Sequence, residues 1–343
     1  MDFGSLDLNT VWFALVGVLL TGYAILDGFD LGLGSLHLFT KDDQERRVLL
    51  NAIAPVWDGN EVWLLTGGGA IFAAFPMVYA TVFSGFYLAL VLLLVALIFR
   101  AVSIECRSKQ PMGWWRQAWD VAYSVGSMVA ALLFGVAIGN IAWGIPLDAQ
   151  HEFAGSFLGL LHPYALLIGI SAVAFFMVHG GLYGLMKTEG ALHEKMRGWL
   201  GRCIPVFIAC YVLTVAATIL WVPNMTHRFR ESPWLFVILL VNVLAVLNIP
   251  REVSRRRPGR AFLSSCVIAL TVMLFFCMNM YPNLVLSNPD AANSLNIHNA
   301  ASSSRTLGVM FTIALIGVPI VLVYTSVIYW IFRGKVRLDK NSY

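Results

Sequence analysis

Nine runs of mostly apolar residues, each long enough to cross a lipid bilayer, constrain this chain more than any motif within it. They cover about 10–36, 48–72, 78–104, 117–143, 157–186, 203–222, 233–250, 261–282 and 306–333, where about 20 helical residues suffice to span. Several exceed that length, which implies tilt or extension beyond the lipid. Hydrophobic residues make up 59% of the 343 and charged residues only 12%, so the solvent for this surface is a bilayer. No segment alternates like a barrel strand, and the expected fold class is an all-α integral membrane protein with nine transmembrane helices in a single membrane domain, 1–343. The N-terminal MDFGSLDLNT is acidic, lacks a basic leader and a small-residue cleavage site, and reads as the approach to a retained first span.

Basic residues orient the chain. Lys41, Arg46 and Arg47 fall in the first connection, and Arg100, Arg107, Lys109 and Arg116 in the third. The fifth holds Lys187, Lys195, Arg197 and Arg202; the seventh holds Arg251, Arg255, Arg256, Arg257 and Arg260; the tail holds Arg333, Lys335, Arg337 and Lys340. That places 20 of the 23 Lys and Arg on one side, with Arg228, Arg230 and Arg305 on the other. The positive-inside rule then puts the N-terminus outside and the C-terminus in the cytoplasm. The net charge of +4 sits at helix ends, so nucleic acid is not an expected partner. The longest extramembrane piece, about 283–305, is rich in Asn, Ser and Ala and reads as an external cap, a partner contact or a passive linker.

Acidic groups inside the spans are the candidate site. Helix 1 carries Asp27 and Asp30 in LDGFDLGLG, and helix 2 carries Asp58, Asn60 and Glu61 in WDGNEVW. Counted from the cytoplasmic helix ends, Asp27 and Asp58 both lie roughly 14 Å deep at 1.5 Å per residue, with Asp30 shallower and Glu61 deeper. A carboxylate in hydrocarbon costs at least about 2.5 kcal/mol unless paired, protonated or wetted. Two readings stay open. In one, the acids pair structurally inside a close, Gly-rich helix contact at Gly28, Gly32 and Gly34. In the other, they form a ladder that carries protons or cations. Pro55, one turn before Asp58, cannot donate to the Asn51 carbonyl and so opens a place where water or a side chain can enter. Gly67, Gly68 and Gly69 lie deep in a span and read as packing glycines. Helix 1 ILDGFDLGLG and helix 5 MVHGGLYGLM faintly echo each other, which fits a parallel repeat.

Cofactor chemistry has little footing in the spacing. His162 and His179 stand 17 apart, about 26 Å along a helix, and cannot ligate one iron. His37, His151, His193, His227 and His298 fall in connections or at their edges. The five cysteines show no CxxC or CxxCH spacing and read as small packing residues. No Walker loop, HExxH or Ser-His-Asp arrangement is present. From these residues alone, a standalone ion-coupled secondary transporter is the alternative to a subunit of a larger complex.

Four segments carry a resemblance. GYAILDGFDLGLG, ERRVLLNAIAPVWDGNEVWLLTGGGAIFAAFPMVYATVFSGFY, LIFRAVSIECRSK and the C-terminal LNIHNAASSSRTLGVMFTIALIGVPIVLVYTSVIYWIFRGKV are similar to subunit II of the cytochrome bd-type quinol oxidases. The resemblance implies a bacterial inner-membrane complex that oxidises quinol on the outer side and reduces dioxygen to water. It implies two four-helix bundles, about 10–143 and about 157–282, with a peripheral ninth helix at about 306–333. Two b-type haems, one d-type haem and the quinol-binding loop would belong to subunit I, the expected partner, and none to this chain. Some members bind a structural quinone in subunit II; lipid and small single-helix subunits are further expected partners. By motif, Asp58 matches the residue linked to the proton path from the cytoplasm, with Asp27, Asp30, Asn60 and Glu61 as companions. Members carry Glu or Gln at the Glu61 position.

Reporter fusions after Arg47, Arg116, Arg202, Arg257 and the tail are expected to read cytoplasmic. An external reading from any one of them, in an assembled fusion, contradicts nine spans with this orientation.

Overall fold

A computed structural model describes residues 7–226, 228 and 233–338. His227, Arg230 and Lys340, used in the reading above, lie outside the described residues. The helices are α1 (Leu8–Leu36), α2 (Asp43–Ile53), α3 (Trp57–Ala74), α4 (Pro76–Gly85), α5 (Tyr87–Cys106), α6 (Gly113–Trp143), α7 (Pro163–Lys187), α8 (Gly190–Trp221), α9 (Leu235–Ser254), α10 (Pro258–Met280) and α11 (Ser304–Ile331). Among the described residues, eight are long and apolar enough to cross a membrane: all except α2, α3 and α4. α3 and α4 pass only as a pair, bent by 119° at Phe75, and counting that pair as one broken span gives nine.

The second and third spans therefore differ from the sequence expectation. Residues 48–72 are not one helix: α2 ends at Ile53, a turn covers Ala54, Pro55 and Val56, and α3 begins at Trp57. Pro55 has no N–H to continue the ladder, which accounts for a break at that point. Residues 78–104 are likewise divided at Phe86, between α4 and α5. The fifth connection is shorter than expected, because Lys195, Arg197 and Arg202 already lie within α8.

α1 runs through the centre of the molecule, against α3, α6, α7 and α10. Its glycines set the distance. A Cβ on Gly32 would fall 1.7 Å from the Phe176 carbonyl oxygen, and one on Gly180 would fall 2.3 Å from the Leu33 nitrogen. The two segments that echo each other in sequence thus cross backbone to backbone, as small residues allow where lipid offers no hydrophobic drive between helices. Gly34 is equally tight against Ser127. Of the glycine triplet, only Gly67 meets a neighbour, Leu20; Gly68 and Gly69 face open space.

An ionic clasp ties the helix ends on the Lys- and Arg-rich side. The buried Asp120 of α6 accepts from His37 Nε2 (2.5 Å), Arg107 Nε (2.6 Å) and Arg46 Nη1 (2.7 Å). Arg107 and Arg116 also reach Asp43, at 2.8 and 3.1 Å. His37 and Arg107 are therefore buried structural groups rather than loose loop residues.

At the opposite end, residues 283–305 form a folded cap. Asn283–Val285 and Leu295–Asn296 pair as two short antiparallel strands, which the sequence pattern did not reveal. Ser302 bonds the Ala73 and Ala74 carbonyls at the α3–α4 bend, and Trp12 Nε1 donates to the Leu307 carbonyl (3.1 Å).

Gly32→Leu is expected to abolish assembly or lower the melting temperature sharply, because the backbone of α7 cannot yield as a flexible side chain can. Gly68→Ala, which meets nothing, is expected to be neutral. Equal thermal stability of the two variants in detergent contradicts the close crossing.

Candidate functional site

The acids of the two polar motifs converge on Arg100. Sequence reading placed Arg100 in a connection; it lies inside α5, fully buried. Its Nη2 donates to Asp27 Oδ1 (2.5 Å), and its Nη1 donates to Asp27 Oδ2 (3.0 Å) and to Glu61 Oε1 (2.8 Å). The two-pronged pairing with Asp27 matches the planar fork of the guanidinium. α6 presses on this part of α5, since a Cβ on Gly126 would fall 2.6 Å from the Ala96 carbonyl oxygen. The side chain accordingly extends towards α1 and α3.

Asp30 completes the cluster from the other side. Its Oδ2 accepts from Asn60 Nδ2 (2.7 Å) and lies 3.9 Å from Arg100 Nη2, while its Oδ1 has no hydrogen-bond partner. Asn60 also donates to the Leu26 carbonyl (3.3 Å) and accepts from the Tyr329 hydroxyl of α11 (2.9 Å). Tyr329, Asn60, Asp30 and Arg100 thus form a continuous polar run across three helices and into a fourth.

Beside that run lies a cavity of ≈ 290 Å³, lined by Pro55, Asp58, Asn60, Glu105, Tyr324 and Tyr329 among others. The α2–α3 break supplies one wall and α11 the opposite one. Asp58 is exposed at this cavity and makes no hydrogen bond or ion pair among the described residues. Asn60 is buried beneath it, and the Glu61 side chain is 23% exposed.

The expected ladder is corrected here. Glu61 meets Asp27 through their shared guanidinium, and Asn60 meets Asp30. The depth count took 48–72 as one straight helix, and the Pro55 break invalidates that origin. Of the five candidate residues, Asp27, Asp30, Asn60 and Glu61 come together, whereas Asp58 stands apart at the cavity. Sequence reasoning missed Glu105 and Tyr329 altogether. Arg100 was legible in principle, since apolar residues flank it on both sides within one span.

The histidines are engaged elsewhere. His179 faces the Ser265 hydroxyl through Nδ1 (2.7 Å) and donates through Nε2 to the Ile25 carbonyl (2.8 Å). His162 accepts from the Ala165 N–H at the start of α7, and its ring lies 5.0 Å from that of Trp143. Among the described residues, no group of three or more His, Cys, Asp or Glu is arranged to hold a metal ion.

Comparison with known proteins gives a consistent result. The family model described as cytochrome bd terminal oxidase subunit II matches residues 8–332. The cytochrome bd-I ubiquinol oxidase subunit 2 of Escherichia coli (strain K12) is 36% identical, with 98% of each chain covered. The cytochrome bd ubiquinol oxidase subunit 2 of Bacillus subtilis (strain 168) is 35% identical, covering 96% of this chain and 97% of the relative. A chain of the bd oxidase structure from Geobacillus thermodenitrificans superposes with a TM-score of 0.77 over 95% of this chain and 99% of that one; at 16% identity it speaks for the fold alone.

Arg100→Leu would strand Asp27 as a buried charge with no counter-ion, a loss of about 3–5 kcal/mol. It is expected to abolish assembly, and the double variant with Asp27→Leu is expected to recover part of the stability. An Arg100→Leu protein as heat-stable as wild type would show that the cluster does not hold the fold.

Proposed function

The chain belongs to the cytochrome bd terminal oxidase subunit II family, and on that premise we propose that it is the haem-free subunit of a quinol:dioxygen oxidoreductase and supplies protons to its partner. It is a multi-pass protein of the bacterial inner membrane. In this reading, subunit I carries the two b-type haems, the d-type haem and quinol oxidation. Two observations support this reading: both His179 nitrogens are already bonded, and His162 accepts a helix N–H through Nδ1.

One observation carries the proton reading: the bonded run from the Tyr329 hydroxyl through Asn60 to Asp30 and the Arg100 cluster. Reducing dioxygen consumes protons. Drawing them from the cytoplasm, while quinol releases its own outside, generates membrane potential. Asp58 and Glu105 gather protons at the cavity mouth. Tyr329 and Asn60 orient a hydrogen-bonded passage inward. Asp30, Asp27 and Glu61 share a single guanidinium, so neutrality in a low-dielectric interior calls for protons among them. Glu61 holds the Arg100 guanidinium in place, and the Asp27–Asp30 pair passes the proton on towards the side of α3 and α5 where the partner would sit. A standalone transporter has no comparable support once the family is established.

Asp58→Asn keeps shape and removes the titrating group. Oxygen consumption and membrane-potential generation are expected to fall several-fold at least, with haem content intact, and Asp58→Glu is expected to retain more activity. Glu61→Gln still offers Arg100 an acceptor and should be mild. Full turnover in an intact Asp58→Asn complex rules out uptake at that residue; lost haem with normal turnover per surviving complex assigns Asp58 to structure instead.

A further inference from the structure

α8 and α9 are pinned together at two places. At one end, Arg197 Nη2 donates to the Val253 and Ser254 carbonyls (3.1 and 3.3 Å) that close α9. Further along, the Tyr211 hydroxyl donates to Asn242 Oδ1 (2.7 Å), and Asn242 is itself buried against Thr271. Each helix contains a proline in the intervening stretch, Pro205 in α8 and Pro250 in α9, and each proline leaves the ladder short of one N–H. Along α8, from between the pins to just past Tyr211, runs an open groove of ≈ 660 Å³ lined by apolar residues, Ile204, Pro205, Ala209 and Leu213 among them, with Pro250 the contribution of α9.

The dimensions of this groove fit a particular guest. From Ile204 to Leu213 the helix rises roughly 14 Å at 1.5 Å per residue. Half of a hydrocarbon core about 30 Å thick is about 15 Å, so the groove runs the depth of one leaflet. Its mouth is cationic. Arg202 is exposed just before Ile204, and Arg251, 58% exposed, directly follows Pro250. Arg255, Arg256, Arg257 and Arg260 continue the same end, all exposed. Among the described residues, the carboxylate paired at the mouth is Glu252, buried, with Oε1 3.6 Å from Arg251 Nη1 and Oε2 unbonded; Arg251 also donates to Asn248 (3.2 Å). A single acid does not neutralise this set of guanidinium groups.

We propose that the α8–α9 groove is a binding site for an anionic diacyl phospholipid, one acyl chain lying against Ala209 and Leu213 and the phosphate held by Arg202 and Arg251. A neutral apolar molecule would fill the groove and leave the arginines unused. A soluble phosphate would meet the arginines and leave the groove unfilled. Only a molecule with both parts uses the whole site, and juxtamembrane arginines attract an anionic headgroup. The site is independent of the proton route and of which membrane face that end meets.

The test uses the intact oxidase complex, stripped of lipid in detergent and reloaded with phosphatidylglycerol or phosphatidylcholine, then analysed by native mass spectrometry. Phosphatidylglycerol is expected to be retained and phosphatidylcholine to be retained at least several-fold less. Ala209→Trp, which fills the groove from an exposed position, should cut phosphatidylglycerol retention about tenfold, in line with loss of one leg of a two-part site. Arg202→Gln with Arg251→Gln should abolish the preference between the two lipids without emptying the groove. Val318→Trp on the exposed face of α11 is the control and should change neither. Equal retention of both lipids by the wild type, undiminished retention in Ala209→Trp, or a quinone or small polypeptide recovered from the groove overturns the proposal. Should Ala209→Trp fail to assemble, the arginine pair decides alone.

Discussion

A guanidinium buried in the middle of a membrane protein needs its carboxylates in place, and the geometry around Arg100 follows from that need. Asp27 on α1 takes both of its prongs, Glu61 on α3 takes a third contact, and Asp30 approaches from the same helix as Asp27. Three helices are thereby held at fixed rotation and height, because a one-residue slip of any of them would strand a charge in a medium that penalises it heavily. The glycine crossing of α1 on α7 and the Asp120 clasp serve the same end from two other directions. One lets the backbones approach, and the other fixes the helix ends.

The break at Pro55 is what makes the cluster reachable. Had residues 43–74 formed one straight helix, its packed side would have sealed Asn60 and Asp30 behind continuous backbone. Instead the turn at 54–56 and the face of α11 enclose a polar cavity, with Asp58 at its surface and Tyr329 at its inner wall. Buried polar groups of this sort are stable only when nearly every donor and acceptor finds a partner. Within the cluster, Asp30 Oδ1 and Arg100 Nε are left without a partner, at places where a proton or a water would be held.

Much of the scaffold was legible from apolar run length, since lipid leaves helices as the economical way to satisfy backbone groups. The positions of Asp27, Asp30, Asn60 and Glu61 as intramembrane polar residues were equally readable. Their partnership was not. Arg100 was counted with Arg107 and Arg116 because it stands near a basic connection, yet it belongs to the turn of α5 that faces Asp27. Helix periodicity gives neighbours within one helix and is silent on rotation between helices, so Tyr329, 269 positions from Asn60, could not be found that way. A depth counted in residues for Asp58 assumes an unbroken helix, and the chain breaks at Pro55. The strands of the 283–305 cap are too short for any alternation to register.

Among the described residues, Asn60 both lines the cavity and bonds Asp30 of the cluster, so the proton route stands or falls there. The decisive measurement is the rate of membrane-potential build-up by the Asn60→Leu oxidase in sealed vesicles, with haem content measured on the same preparation. Leucine is close in volume and offers neither a donor to Asp30 nor an acceptor to Tyr329. A route through Asn60 predicts a complete set of haems with potential generation slowed at least several-fold. Wild-type rates of potential generation and oxygen consumption in that fully assembled variant would contradict it.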